Sequence, residues 1–113
     1  MLQDYSAVIH TSQVHVAARE RHIIGVLELV VTEEGFLLDS IAIDPSAQGT
    51  GVGRKLFEFA EREARRQGYD SIYLMTNEKM TENQALYSRI GYIRFDRRIV
   101  HGYARVLMRK ALI

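Results

Sequence analysis

Three glycines fall within five residues in Gln48-Gly49-Thr50-Gly51-Val52-Gly53-Arg54, just ahead of a stretch patterned as a helix. Glycine lets a backbone approach a ligand closely and turn its amides inward. The N-terminus of a following helix adds unpaired N–H groups and partial positive charge. Together these make a seat for phosphate or pyrophosphate; the plainer alternative is a tight connection between two elements. The loop is not a Walker A sequence, because Gly53 is followed by Arg54-Lys55-Leu56. Nor is it a dinucleotide fingerprint, since the position three after Gly51 is Arg54.

Other chemistry is scarce. With no cysteine, disulfides, thiolate metal sites and cysteine nucleophiles are excluded. His10, His15, His22 and His101 lack metal-ligand spacing and read as surface or turn residues, so no metal is expected. Two carboxylates stand out on strand-like segments, Glu28 within an apolar run and Asp39 further on. An acid alternating with apolar residues usually faces solvent, and that reading stands beside any catalytic one.

The elements that must carry these residues follow from periodicity. Residues 4–10 suit one or two helical turns with Asp4 as N-cap. Residues 14–18, 23–31 and 36–43 read as strands joined by short turns, hence as antiparallel neighbours. Val52, Leu56, Phe57, Phe59, Ala60 and Ala64 then form an apolar helical stripe, with Gly68 as its stop. On its wet face Glu58 with Arg62 and Glu61 with Arg65 are spaced as i,i+4 ion pairs. Residues 71–76 read as a strand and 81–90 as a second helix, with Thr81 and Gln84 as a capping box. Residues 92–100 and 103–112 are two last strands turning at His101-Gly102. The expectation is an α+β (α/β) fold: a mixed, mostly antiparallel twisted sheet flanked by helices, whose strands 36–43 and 71–76 run parallel.

The loop does not stand alone. Gln48, Gly51 and Gly53 match the Gln/Arg-x-x-Gly-x-Gly/Ala pyrophosphate loop of the GNAT superfamily of N-acetyltransferases, and Ile41-Ala42-Ile43-Asp44-Pro45 resembles the strand and turn that lead into it. Downstream, Asn83, Ala85, Tyr87, Gly91 and Tyr92 are similar to the family's second signature, with Ala85 one position early. The segment from Thr76 to Asn83 and that from Gly102 to Val106 also resemble a GNAT subgroup. The likeness runs over roughly residues 14–112.

The resemblance implies direct transfer of an acetyl group from acetyl-CoA to a primary amine of a small molecule or peptide. It implies that the backbone of Ile41, Ala42 and Ile43 pairs with the pantetheine arm. It also implies that the amides of Gln48, Gly49, Thr50, Gly51, Val52, Gly53 and Arg54 hold the pyrophosphate. Strands 36–43 and 71–76 would splay to admit the donor. Asn83 would hydrogen-bond the pantetheine, and Tyr87 would stand by the sulfur as the acid for the departing thiolate. An alkylamine has a pKa near ~10, so only about one part in a thousand is neutral near pH 7 and a base helps. Asp39 is the first candidate base and Glu28 the other.

The chain departs from the family pattern at its front, where only about thirteen residues precede the strand at 14–18 and the usual first strand and first helix have no counterpart. Residues 1–13 would be a remnant of the family's N-terminal helical region within a single domain over 1–113. That leaves the strand at 14–18 as an edge that a homodimer or a partner chain would cover. It also keeps open a non-catalytic acyl-CoA-binding module with an incomplete acceptor site. The 113 residues are 47% hydrophobic and 26% charged with net charge +1, which fits a globular domain and gives no basic footprint for nucleic acid. The apolar run at 23–31 is interrupted by Glu28 and is far short of a membrane span of ~20 residues. With no secretion signal and no cysteine, a cytoplasmic location is the default expectation.

Overall fold

In a computed structural model, which describes residues 11–113, six strands form one sheet in the order β1-β2-β3-β4-β6-β5. They are β1 (Thr11–Arg19), β2 (His22–Thr32), β3 (Gly35–Ile43), β4 (Ser71–Asn77), β5 (Ile93–Val100) and β6 (Tyr103–Ala111), with helices α1 (Val52–Arg66) and α2 (Thr81–Arg89) between them. The helical turns expected over 4–10, and His10, lie outside the described residues. The first strand begins at Thr11 rather than at residue 14, so residues 11–13 are strand and not helical remnant.

Turn chemistry sets the hairpins. Glu20 and Arg21 adopt φ of +50° and +72°, and His101 and Gly102 +51° and +82°, so each two-residue turn lies in the left-handed backbone region, which matches the right-handed twist of the paired strands. β1, β2 and β3 are antiparallel neighbours, β3 and β4 run parallel, and β6 pairs antiparallel with both β4 and β5. The mixed sheet expected from periodicity is the sheet observed.

Alternation sorts the side chains into two faces. Leu27, Leu29, Leu38, Ile72, Leu74, Val106 and Met108 pack beneath Leu56, Ala60 and Ala64 of α1, with Tyr87 of α2 and Ile90 joining the same cluster. A smaller cluster of Val30, Leu37 and Tyr73 lies on the opposite face, where no described helix packs. α1 sits close because Gly25 lets it: a Cβ on Gly25 would stand 2.9 Å from Leu56 Cδ1. β1 is a sheet edge, with Val14 and Val16 exposed.

Three local expectations are corrected. The expected pairs Glu58–Arg62 and Glu61–Arg65 on α1 do not form, and Glu58 pairs back to Arg54 at 3.3 Å. Glu61 instead holds Lys110 of β6 at 2.8 Å, Arg62 lies over the Phe59 ring, and Arg65 Nε donates to the Leu112 carbonyl. Partners on the sheet side draw Glu61 and Arg65 apart, while Glu58 and Arg62 turn to Arg54 and Phe59 on the helix itself. The capping box is absent too, because Met80 is the N-cap and Gln84 Nε2 donates to the carbonyls of Asn77 and Glu78. The turn closed by Met80 N–H to the Asn77 carbonyl begins the helix early and puts Thr81 inside it. Finally, His15 is not a loose surface residue: its ring packs edge-on to Phe59, centroids 4.7 Å apart, with Nε2 buried.

Candidate active site

The sheet opens between β3 and β4. Their parallel register covers only Leu37 with Tyr73 and Leu38 with Leu74, although β3 continues to Ile43 and β4 to Asn77. A bulge opposite Glu28 and Leu29 inserts Asp39 as an extra residue in β3 and bends it away. The edge of residues 39–43 that faces β4 therefore has no strand partner among the described residues. The resulting slot, a cavity of about 400 Å³, is lined by Asp39, Ser40 and Ile41 from β3, Met75, Thr76 and Asn77 from β4, Asn83 and Tyr87 from α2, and Arg105 from β6.

At the end of β3 the chain is pinned before it enters the glycine loop. The Asp44 amide donates to the Ile24 carbonyl at 2.8 Å, and the Asp44 carboxylate accepts from the Ser46 amide at 3.1 Å. Gly49 and Gly51 then take φ of +82° and +88°, the left-handed region that disfavours any Cβ. Gly51 is the N-cap of α1 and offers no side chain to satisfy the first amides. The amides of Gly49, Gly51, Val52, Gly53 and Arg54 find no carbonyl or side-chain acceptor among the described residues. The first turn of α1 carries no acid and includes the cations Arg54 and Lys55. Cations there work against the helix dipole, so the end of the helix is electrostatically fit for an anion.

The electrostatics of the slot are uneven. Burial, then the negative charge of Glu28, holds the Asp39 carboxyl above the ordinary carboxylate range, and the Glu28 carboxyl lies within hydrogen-bonding reach of it. Glu28 in turn accepts from the Ser12 hydroxyl. The two carboxylates that sequence reading held as rival bases are thus neighbours. Tyr87 is half-buried against Phe57 and Tyr92, ring centroids 5.9 and 6.2 Å away, and burial raises its pKa so that the hydroxyl stays protonated at neutral pH. Asn83 Nδ2 faces the Met80 sulfur at 3.7 Å, a weak contact that leaves the amide available.

Of the residues expected to act together, Asp39, Ile41, Asn83 and Tyr87 line the slot. Gly53 and Arg54 border a groove of about 430 Å³ between α1 and α2. Thr50 and Val52 border a larger cavity of about 620 Å³ beside β1, which contains neither Asp39 nor Tyr87. Among the described residues, no three His, Cys, Asp or Glu side chains gather in a way that could hold a metal ion. No described helix is long and apolar enough to cross a membrane. Among the described residues lining the slot, Arg105 is the charged one that sequence reading did not assign to the site. It reaches the slot because β6 pairs with β4, setting it opposite Asn77.

Comparison with known proteins adds family and fold. Residues 10–94 match the model of the acetyltransferase (GNAT) domain. No curated protein matches the sequence closely enough to count as a relative. Among solved structures, nourseothricin acetyltransferase superposes with a TM-score of 0.78 at 20% identity over 90% of this chain and 66% of its own. A GNAT family acetyltransferase from Elizabethkingia anophelis, solved with acetyl-CoA bound, gives 0.78 at 19% identity over 89% of this chain and 76% of its own. An IAA acetyltransferase from Bacillus cereus gives 0.75 at 23% identity over 89% and 78%. This chain spans about two thirds of the length of the first and somewhat more of the other two.

Proposed function

The chain belongs to the GNAT family of acetyltransferase domains, and from that premise we propose that it transfers the acetyl group of acetyl-CoA to a primary amine of a small molecule or peptide. The observation that carries the proposal is the slot between β3 and β4, flanked by backbone of β3 that has no strand partner among the described residues, with β3 leading on into a loop whose amides find no acceptor among them. Acetyl-CoA supplies, when bound, an acetyl thioester open to attack by an amine.

The chain's own residues divide the remaining work. Amides from Gly49 to Arg54 hold the pyrophosphate, and the backbone of Ile41, Ala42 and Ile43 aligns the pantetheine as a further strand. Asn83 fixes that arm by a hydrogen bond. Asp39 takes the proton from the attacking amine as the new N–C bond forms; its raised pKa brings its basicity closer to working pH. Tyr87 gives its hydroxyl proton to the sulfur as the C–S bond breaks, and its burial keeps that proton in place at neutral pH.

Calorimetric titration with acetyl-CoA, CoA, ATP and NAD, followed by thiol release against a panel of amines, tests this reading. The expected result is selective binding of the two CoA species with thiol release that depends on an amine. Binding without release on any amine favours a non-catalytic acyl-CoA-binding module. Absence of CoA binding overturns the assignment of the loop.

A further inference from the structure

Among the described residues, the slot holds one uncommitted cation. Three arginines of β5 and β6 share the face of the sheet opposite α1: Arg98, Arg105 and Arg109. Arg98 is spent on a fork of two 2.6 Å contacts with Glu34 and a 2.7 Å contact with Asp96. Arg109 lies over the rings of Phe95 and Tyr73, at 4.3 and 5.6 Å from their centroids. Arg105 makes no ion pair or hydrogen bond among the described residues, and its Nε is buried without an acceptor. Of the three it alone lines the slot.

A guanidinium N–H removed from water and left without an acceptor is costly, and a charged acceptor recovers the most. The neighbours do not supply one. Arg105 sits opposite Asn77 on β4 and Arg98 on β5, and the Asn77 side-chain oxygen already accepts from the Lys79 amide at 2.8 Å. Among the described residues, Asp39 is the only carboxylate lining the slot, and no ion pair joins it to Arg105. Asp39 belongs instead with Glu28, on the β3 side of the opening. The slot therefore has an acidic pole on one wall and a cationic pole on another.

We propose that Arg105 selects the acceptor: the amine acetylated by this protein also carries a carboxylate, which the Arg105 guanidinium receives while the amine faces Asp39. The proposal rests on the acetyltransferase reading of the slot. A carboxylate is the preferred anion because its two oxygens match the planar guanidinium fork, which a lysine at the same place would not reproduce. The arrangement selects by charge at two points and so rejects simple alkylamines, which leave Arg105 unpaired.

The test compares glycine, β-alanine and γ-aminobutyrate with their amides in the thiol-release assay, using wild type, Arg105→Gln and Arg105→Lys. The expected result is a kcat/KM for at least one acid about tenfold or more above that of its amide, the size of one charge-assisted hydrogen bond. Arg105→Gln removes that preference by raising KM for the acid, leaving the amide and acetyl-CoA affinity unchanged, and Arg105→Lys restores part of it. A second readout needs no turnover: the CoA-loaded protein binds the N-acetyl acids over the N-acetyl amides by NMR titration, and Arg105→Gln loses that difference. Equal use of acids and amides, or equal loss of both in Arg105→Gln, overturns the role of Arg105 while leaving the transferase intact. Failure to bind CoA at all overturns both.

Discussion

The carboxyl groups of Asp39 and Glu28 meet across the β2–β3 bulge, close enough to share a hydrogen bond. Burial opposes ionisation of Asp39, and the negative charge of Glu28 adds to that opposition. Folding thus raises the pKa of Asp39 above its value in the unfolded chain. The stability this group contributes is full below its unfolded pKa of ~3.9 and is lost as pH rises through its raised folded value.

Asp39→Asn should therefore be more heat-stable than wild type at neutral pH, with the gap shrinking as pH falls toward the ordinary carboxyl range. The same substitution should lower kcat/KM by about 10²-fold or more, as removal of a general base does. Glu28→Gln should keep activity but shift the acidic limb of the kcat/KM profile to lower pH, because the neighbouring charge that lifts Asp39 is gone. Thermal melts and pH–rate profiles of the two variants check this. An unmoved limb in Glu28→Gln would remove the pair from the mechanism.

Tyr87→Phe keeps the ring against Phe57 and Tyr92 and deletes only the hydroxyl. Stability and acetyl-CoA affinity should stay within experimental error of wild type, while kcat falls about 10²-fold from loss of the acid. Single-turnover thiol release beside a calorimetric titration separates the two effects. A kcat equal to wild type makes Tyr87 a packing residue.

Much of this architecture was legible from local pattern. The α1 stripe, the glycine stop after it and the alternation in β2 each follow from one element and its core, so periodicity suffices. The glycine loop was legible because positive φ at Gly49 and Gly51 leaves a mark in residue type. What one element could not show was pairing between distant ones. The bulge at Asp39 depends on register with β2, and it alone makes rivals such as Glu28 and Asp39 into neighbours. Arg105 enters the slot through its pairing opposite Asn77 on β4, and no spacing within β6 announces it. Glu61 likewise finds Lys110 across 49 residues instead of Arg65 one turn away.

The loop glycines Gly51 and Gly53 should not respond alike to alanine. Gly51 at φ +88° must hold a Cβ in left-handed backbone, a cost of about 1–2 kcal/mol, and the strain falls on the amides expected to meet phosphate. Gly53 has helical backbone, and a Cβ there would stand 3.8 Å from Ile43, an ordinary contact. Gly51→Ala should lose both stability and acetyl-CoA affinity, whereas Gly53→Ala should gain up to about 1 kcal/mol from helix propensity. Denaturant titration of both variants decides the matter, and equal destabilisation would contradict the loop geometry.

Gly25 is constrained by space instead. An added Cβ would press on Cδ1 of the buried Leu56 at 2.9 Å. Gly25→Ala should cost about 1–3 kcal/mol by overpacking, and Leu56→Ala about 2–5 kcal/mol by leaving a cavity. The two losses should not add, because the alanine methyl at 25 enters the space that Leu56 vacates. A double-mutant cycle in urea should show the pair less destabilised than the sum of the singles. Because α1 carries the amides of the glycine loop at its start, Gly25→Ala should also weaken acetyl-CoA binding from the far side of the sheet contact. Full additivity in the cycle would mean that α1 does not rest on β2 through this contact, and the position of the loop would then need another support.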